Sequence, residues 1–181
     1  NAAKRIIVAA DLYDDFLAKF SEKMLGSAPD LAPLSSAAAA QRLGEQVDRA
    51  VAAGATLATE GERKGAYFPP GVLTGVTADS PTYHEELFGP VAMVFKVGSE
   101  DEAVALANDI PFGLGSYLFT SDPEQAARVA EKIDAGMVFV NLVNADGVEL
   151  PFGGVKRSGF GRELGRYGID EFVNKKLIRS R

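Results

Sequence analysis

Two neighbouring carboxylates, Glu85 and Glu86, stand directly before the sequence Leu-Phe-Gly-Pro, and this stretch has the residue types best suited to binding chemistry. An ionised carboxylate only accepts hydrogen bonds, so it can bind the hydroxyl groups of a sugar. Phe88 offers an apolar face on which a flat ring can pack. A solvated surface turn can have the same composition, so the pattern alone leaves a binding site and a simple turn both open.

A second unusual stretch, residues 151–165, contains five glycines together with two phenylalanines and three cations. Glycine clusters occur where the backbone needs unusual dihedral angles or close approach. Residues 159–165 superficially match a dinucleotide-binding glycine loop, but the third glycine comes one residue late and Lys-Arg-Ser precedes the loop instead of an apolar strand. We therefore reject that fingerprint. The cations Lys156, Arg157 and Arg162 can contact phosphate or form ion pairs in an oligomer interface, and we favour the interface.

Composition argues against several classes of function. The 181 residues carry a net charge of −6, which repels a phosphate backbone and argues against a nucleic-acid partner. The chain has no cysteine and a single histidine, His84, so we predict no disulfide, no thiolate and no metal site within it. No apolar run approaches the roughly 20 residues that span a bilayer, and no signal peptide opens the sequence. These features predict a soluble, cytoplasmic protein without a membrane partner.

The hydrophobic pattern predicts an α/β fold with a largely parallel sheet flanked by helices. Pro69 and Pro70 predict an edge position for the extended segment 67–76, because proline cannot donate to a strand ladder. Strands and helices alternate through the middle of the chain at a spacing typical of parallel pairing. The predicted strands cover 6–10, 55–58, 91–95, 115–119 and 137–140.

Four helices are expected between these strands. Gly54 stands where a left-handed residue commonly ends a helix, after the predicted helix 36–53. The expected helix starts are Asp14 or Asp15 as a cap, Ser36, Ser99 with Glu102 at capping-box spacing, and Asp122 before a proline.

Four sequence motifs, in order, cover nearly the whole chain. They are Glu-Glu-Leu-Phe-Gly-Pro at 85–90, the segment 111–120, Val-Phe-Val-Asn at 138–141 and the glycine-rich segment 151–164. Together they resemble the aldehyde dehydrogenase superfamily, and the nearest subgroup is the NAD(P)-dependent succinate-semialdehyde dehydrogenase type. The resemblance implies a catalytic-domain fold of that family over residues 1–171 and an oligomerisation strand over residues 172–181, and hence a homo-oligomer.

In that family a cysteine thiolate attacks the aldehyde, a hydride passes to NAD or NADP, and water activated by a glutamate releases the acid. The resemblance implies that Glu86 binds the hydroxyl groups of the nicotinamide ribose and that Phe88 packs beside the nicotinamide. It implies that Phe152 lines the channel for a small aldehyde substrate.

The family's nucleophilic cysteine, general-base glutamate and dinucleotide-binding domain precede the region that this sequence resembles. We therefore expect an inactive chain when it is isolated, with NAD or NADP bound by the full-length enzyme and no cofactor bound by this chain alone. A non-catalytic α/β binding or assembly module is the alternative.

Asp146 bears on the substrate. Succinate-semialdehyde enzymes of this type often carry a serine at that position, which helps to hold the substrate carboxylate. A second carboxylate there repels an anionic substrate unless it is protonated or turned away. Succinate semialdehyde is thus the expected substrate by subgroup, and a neutral aldehyde is the alternative.

Overall fold

The computed structural model describes residues 3–143 and 147–181. The chain divides into two compact units, the first ending at Asp109 and the second beginning at Ile110. The predicted division into a catalytic-domain part (residues 1–171) and an oligomerisation strand (residues 172–181) refers to an assembled enzyme, and it stays a prediction.

The first unit contains a four-stranded sheet. Its order is β1-β4-β3-β2, with β1 and β3 parallel to β4 and with β2 antiparallel at the edge. The prediction of an α/β fold is confirmed, and the sheet is mixed. The strands are β1 (Arg5–Ala9), β2 (Thr56–Thr59), β3 (Gly71–Thr74) and β4 (Val91–Val97).

The edge position predicted from Pro69 and Pro70 is wrong. Strand β3 begins only at Gly71, after both prolines, and it pairs with β4 on one side and β2 on the other. Its own residues keep their N–H groups, so nothing prevents a ladder on both sides. The Gly71 N–H donates to the Pro90 carbonyl at 2.9 Å and extends the pairing to the start of β4.

Three helices cover this sheet: α1 (Tyr13–Gly26), α2 (Ala37–Ala52) and α3 (Glu100–Asn108). The Ser36 and Ser99 hydroxyls cap α2 and α3. Glu102 accepts from the N–H of Gly98 instead of closing the capping box on Ser99. Gly54 takes a φ of +100°, as predicted.

The predicted cap of α1 by Asp14 or Asp15 is wrong. The capping position is Leu12, which makes no side-chain cap, and both aspartates lie inside the first turn. Carboxylates in the first turn interact favourably with the positive end of the helix dipole, but they do not replace a side-chain cap.

The two faces of the sheet carry separate apolar clusters. On one face α2 contributes Leu43 and Val47, which pack with Leu73, Leu87 and Met93. On the other face Val8, Val72 and Val94 pack against α1 through Leu17, Phe20 and Met24. Burial on both faces explains why β4 is apolar throughout residues 91–95, whereas Lys96 near its end is exposed.

The second unit holds two small sheets. Strands β6 (Gly115–Leu118) and β7 (Met137–Val140) are parallel, and α4 (Pro123–Lys132) connects them. Asp122 caps α4, as predicted. Strands β5 (Phe112–Gly113) and β8 (Val155–Lys156) are antiparallel. The parallel pairing predicted along the series holds for β6 and β7, whereas β4 takes its parallel partners from β1 and β3.

Asn141 directly follows β7 and has a φ of +56°. Its Oδ1 accepts the N–H of Thr120 at 3.0 Å, and its Nδ2 donates to the Thr120 carbonyl at 2.9 Å. The Asn141 side chain thus satisfies both backbone hydrogen-bonding groups of Thr120, the second residue after β6.

The chain ends after α5 (Gly165–Gly168) and a 3-10 turn (Ile169–Phe172). Residues 174–181 belong to no helix or strand, and Leu177 and Ile178 are exposed. The predicted oligomerisation strand therefore stays a prediction. None of the helices in the described ranges is long and apolar enough to cross a membrane.

Candidate functional site

The Glu-Glu-Leu-Phe-Gly-Pro turn (residues 85–90) leads directly into β4. Leu87 is completely buried in the core cluster that α2 and the sheet share. Gly89 lies so close to α2 that a Cβ on it would come within 2.3 Å of Leu43 Cδ2. One buried leucine and one glycine therefore press the turn onto the helix.

Helix α2 also holds the turn through polar side chains. The Arg49 guanidinium donates to both carboxylate oxygens of Glu85, at 2.9 and 2.8 Å. Gln46 Nε2 donates to Glu85 Oε2 at 3.0 Å and to the Glu86 carbonyl at 3.2 Å. The hydroxyl of Thr82, which is buried, donates to the Gln46 carbonyl at 2.9 Å. The first glutamate of the turn is thus engaged within the unit.

Lys4 contacts the other end of the turn. Its Nζ donates to the Gly89 carbonyl at 2.6 Å. Partial burial lowers the pKa of Lys4 from its usual value, and the nearby Glu86 carboxylate acts in the opposite direction. The ammonium group therefore ties the turn to the residue before β1.

Arg5 fixes the segment just before the turn. Its guanidinium lies over the rings of Tyr83 and Phe95, at 4.6 and 4.9 Å from their centroids. It donates to the Tyr83 carbonyl at 2.6 Å and to the Leu106 carbonyl at 2.9 Å. Its Nε is buried without a hydrogen-bond partner among the described residues.

Glu86 and Phe88 are the exposed members of the turn. They flank the buried Leu87, and Phe88 leaves 78% of its surface exposed. A large aromatic side chain beside a carboxylate, both reaching solvent from a fixed backbone, suits a ligand with hydroxyl groups and a flat ring. The residues present therefore fit a nicotinamide riboside.

His84 lies on the surface. Its Nε2 is 3.1 Å from Asp109 Oδ1, and both side chains are more than half exposed. The hydrogen bond from His84 lowers the pKa of Asp109. Across residues 3–143 and 147–181, no group of three or more His, Cys, Asp or Glu side chains is arranged to hold a metal ion.

Phe152 belongs to the second unit and is partly buried. It exchanges two backbone hydrogen bonds with Glu163, at 2.8 and 2.7 Å, which close the glycine-rich segment on itself. Gly153, Gly159 and Gly161 within that segment take positive φ angles, as a glycine cluster predicts. Asp146 lies outside the described residues.

Cations of the glycine-rich segment contact the second unit itself. Lys156 Nζ lies 2.9 Å from Asp134 Oδ2, and Arg162 donates to the carbonyls of Gly154 and Gly161 at 2.8 and 2.6 Å. Arg157 lies over the Phe112 ring at 5.5 Å. The interface role favoured for these cations stays a prediction, and their contacts within the chain are structural.

The aldehyde dehydrogenase family model matches residues 1–178. The chain belongs to the aldehyde dehydrogenase family. The family resemblance carried by the four sequence motifs is thereby confirmed.

Curated relatives in this aldehyde dehydrogenase family are similar along nearly the whole chain. A succinate-semialdehyde dehydrogenase [NADP(+)] of Deinococcus radiodurans is 52% identical over 190 residues, which cover 99% of this chain and 40% of the relative. A succinate-semialdehyde dehydrogenase [NADP(+)] 1 of Mycobacterium tuberculosis is 45% identical over 98% of this chain and 41% of the relative. The chain thus spans about two fifths of the length of these relatives.

Solved aldehyde dehydrogenase structures have the same fold. A succinic semialdehyde dehydrogenase from Streptococcus pyogenes in complex with NADP+ gives a TM-score of 0.84 at 39% identity, covering 98% of this chain and 41% of that chain. A betaine aldehyde dehydrogenase from Staphylococcus aureus in complex with NAD+ gives 0.86 at 33% identity, covering 93% of this chain and 37% of that chain. The fold is therefore shared by family members with different named substrates.

Sequence reasoning identified the turn and missed the residues that hold it. Gln46 and Arg49 are three residues apart on α2, so they share a helix face, which is the one local signal available. Their partner Glu85 lies 36 residues beyond Arg49, and only the packing of α2 on the sheet brings them together. Lys4 is likewise 85 residues from Gly89.

Proposed function

We propose that this chain forms part of an NAD(P)-dependent aldehyde dehydrogenase that converts succinate semialdehyde to succinate. The observation that carries the proposal is the fixed turn that presents Glu86 and Phe88 together to solvent. The names of the similar enzymes support the substrate and favour NADP as the cofactor.

In this proposal Glu86 accepts hydrogen bonds from the two hydroxyl groups of the nicotinamide ribose, and Phe88 packs against the nicotinamide ring. The cofactor, when bound, supplies the acceptor for the hydride of the aldehyde. The turn contributes orientation, because a ribose and a ring that are held by two side chains of one fixed turn have little freedom to rotate.

Phe152 is proposed to line the channel for the aldehyde, and Asp146 to influence which aldehyde enters. An anionic substrate disfavours an ionised Asp146 nearby, so a neutral aldehyde remains the second candidate substrate. We further propose that residues 172–181 add a strand to a neighbouring subunit, so that the enzyme is a homo-oligomer. We propose a cytoplasmic location.

The test is the NAD+- and NADP+-dependent oxidation of succinate semialdehyde and of a neutral aldehyde, followed by absorbance of the reduced cofactor. It is run on the full-length product of the encoding gene and on the 181-residue chain. We expect activity in the full-length protein alone, because this chain contains no cysteine to act as nucleophile. Activity in the 181-residue chain would contradict the assigned chemistry, and a preference for the neutral aldehyde would overturn the substrate.

A further inference from the structure

The turn contains two adjacent glutamates, and the structure treats them differently. Glu85 is partly buried and accepts hydrogen bonds from Arg49 and Gln46, whereas Glu86 is exposed. Both carboxylates have the same chemistry, so their residue type gives no reason for one of them to be the ligand, and only the family resemblance selects Glu86. The difference lies in the helix beside them.

Contacts from α2 reach three residues of the segment, Thr82, Glu85 and Glu86. Arg49 and Gln46 bind the Glu85 carboxylate, Gln46 binds the carbonyl of Glu86, and the carbonyl of Gln46 accepts the hydroxyl of Thr82. The Nη2 of Arg49 donates to both oxygens of Glu85, which restricts where the carboxylate can lie. Helix α2 thereby holds the side chain of the residue before Glu86 and the carbonyl of Glu86 itself.

The pair of Arg49 and Glu85 is too exposed to contribute much to folding. The side chains are 44% and 35% exposed, and ion pairs at such positions contribute about 0–1 kcal/mol to stability. The effect to be expected of this contact is therefore on the geometry of the turn rather than on folding stability.

We propose that Arg49 and Gln46 are positioning residues for Glu86, which they orient toward the cofactor ribose by engaging Glu85 and the Glu86 backbone. The inference rests on the proposed function of the turn. It adds that cofactor affinity depends on two helix residues that do not themselves reach the cofactor. Without them, Glu85 and Glu86 regain rotational freedom that cofactor binding must then remove.

The experiment measures the Kd of NADP+ and NAD+ by calorimetry, together with Tm and steady-state kinetics, in the full-length gene product. The single variants are Arg49→Gln and Glu85→Gln, and the charge exchange is Arg49→Glu combined with Glu85→Arg. Asp14→Asn is the matched control, because it removes another exposed ion pair of the same unit, with Lys96 at 3.8 Å. Glu86→Gln tests the ligand itself.

We expect the Kd and the KM of the cofactor to rise roughly fivefold in each single variant, the order expected when a side chain must be ordered on binding. The KM of the aldehyde and the Tm should stay close to the wild type, and the charge exchange should recover part of the affinity. Asp14→Asn should change none of these quantities.

Unchanged cofactor affinity in Arg49→Gln and Glu85→Gln, with weaker binding in Glu86→Gln, would overturn the positioning role and leave the proposed function standing. A wild-type protein that binds neither cofactor would overturn both. A fall in Tm that accounts for the whole loss, without recovery in the charge exchange, would assign the pair to folding alone.

Discussion

The turn at residues 85–90 and the glycine-rich segment at residues 151–165 are held in opposite ways. Side chains from elsewhere fix the turn: Lys4 binds one end and α2 the other. Backbone approach fixes the glycine-rich segment, since a Cβ on Gly136 would lie 1.9 Å from the Gly153 carbonyl oxygen. Side chains from elsewhere hold the first region, and close backbone contacts hold the second.

This difference determines what a substitution can do in each region. A side-chain clamp weakens by degrees and can be rebuilt with a different pair, so its loss alters ligand geometry first. A backbone contact without room for a methyl group has no intermediate state, so its loss alters folding first. The predictions that follow measure stability in the full-length gene product by urea denaturation unless another method is given.

Gly136→Ala should have the largest effect. The new Cβ would meet the Gly153 carbonyl at 1.9 Å and the Gly154 Cα at 2.8 Å, and neither is a side chain that can turn away. We expect a loss of more than about 3 kcal/mol in the free energy of unfolding. The control is Gly26→Ala, where a Cβ meets nothing within 4 Å, and the change should stay within about 0.5 kcal/mol. A wild-type midpoint for Gly136→Ala would show that the segment can shift.

Leu87→Ala and Phe88→Ala distinguish the residue that anchors the turn in the core from the residue proposed to bind the cofactor. Leu87 is fully buried, so its truncation should lower the free energy of unfolding by about 2–5 kcal/mol. Phe88 is 78% exposed, so its truncation should change stability by less than about 0.5 kcal/mol. Calorimetry of Phe88→Ala should instead reveal weaker NADP+ binding, and unchanged affinity would remove Phe88 from the site.

Gly89→Ala should destabilise less than Gly136→Ala, because its obstacle is the Leu43 side chain, 2.3 Å from the new Cβ. We expect a loss of about 1–3 kcal/mol in the free energy of unfolding, since the leucine can move only partly within a packed core. Adding Leu43→Val should return part of that loss. If the loss of stability in the double variant equals the sum of the two single losses, the contact between residue 89 and the Leu43 side chain is not the cause of the destabilisation.

The smallest effect concerns His84 and Asp109. The His84 hydrogen bond lowers the pKa of Asp109 below 3.8 in the folded chain. A depressed carboxyl pKa stabilises the fold above the unfolded-state pKa, and this contribution disappears as pH falls through the folded pKa, below about pH 4. Observed by NMR, the Asp109 carboxyl should titrate higher in His84→Ala than in the wild type. An unchanged titration would assign the shift to Tyr83 and Arg5 instead.

Local signals predicted much of the fold. The strand 137–140 and the helix start at Asp122 agree with the structure, because an apolar run and an Asp-Pro pair act on adjacent residues. The edge position inferred from Pro69 and Pro70 was wrong because both prolines precede β3, which begins at Gly71. A rule about prolines within a strand does not transfer to prolines before it.

The candidate site was predictable in its location and not in its division of labour. The turn was recognisable from its six residues and the family resemblance selected Glu86, yet the physical difference between the two glutamates lies in Arg49, which binds Glu85 and is distant in sequence. That pairing follows from how α2 lies on the sheet, and a single sequence carries no direct signal of it.

Asn141 joins two requirements that favour different amino acids. Its positive φ suits glycine, whereas its two hydrogen bonds to Thr120 need a side chain with one donor and one acceptor. Glycine keeps the backbone and loses both bonds, and aspartate keeps the acceptor but sets a second oxygen against the Thr120 carbonyl. Asparagine alone satisfies both, so this position leaves evolution and protein engineering almost no choice of residue.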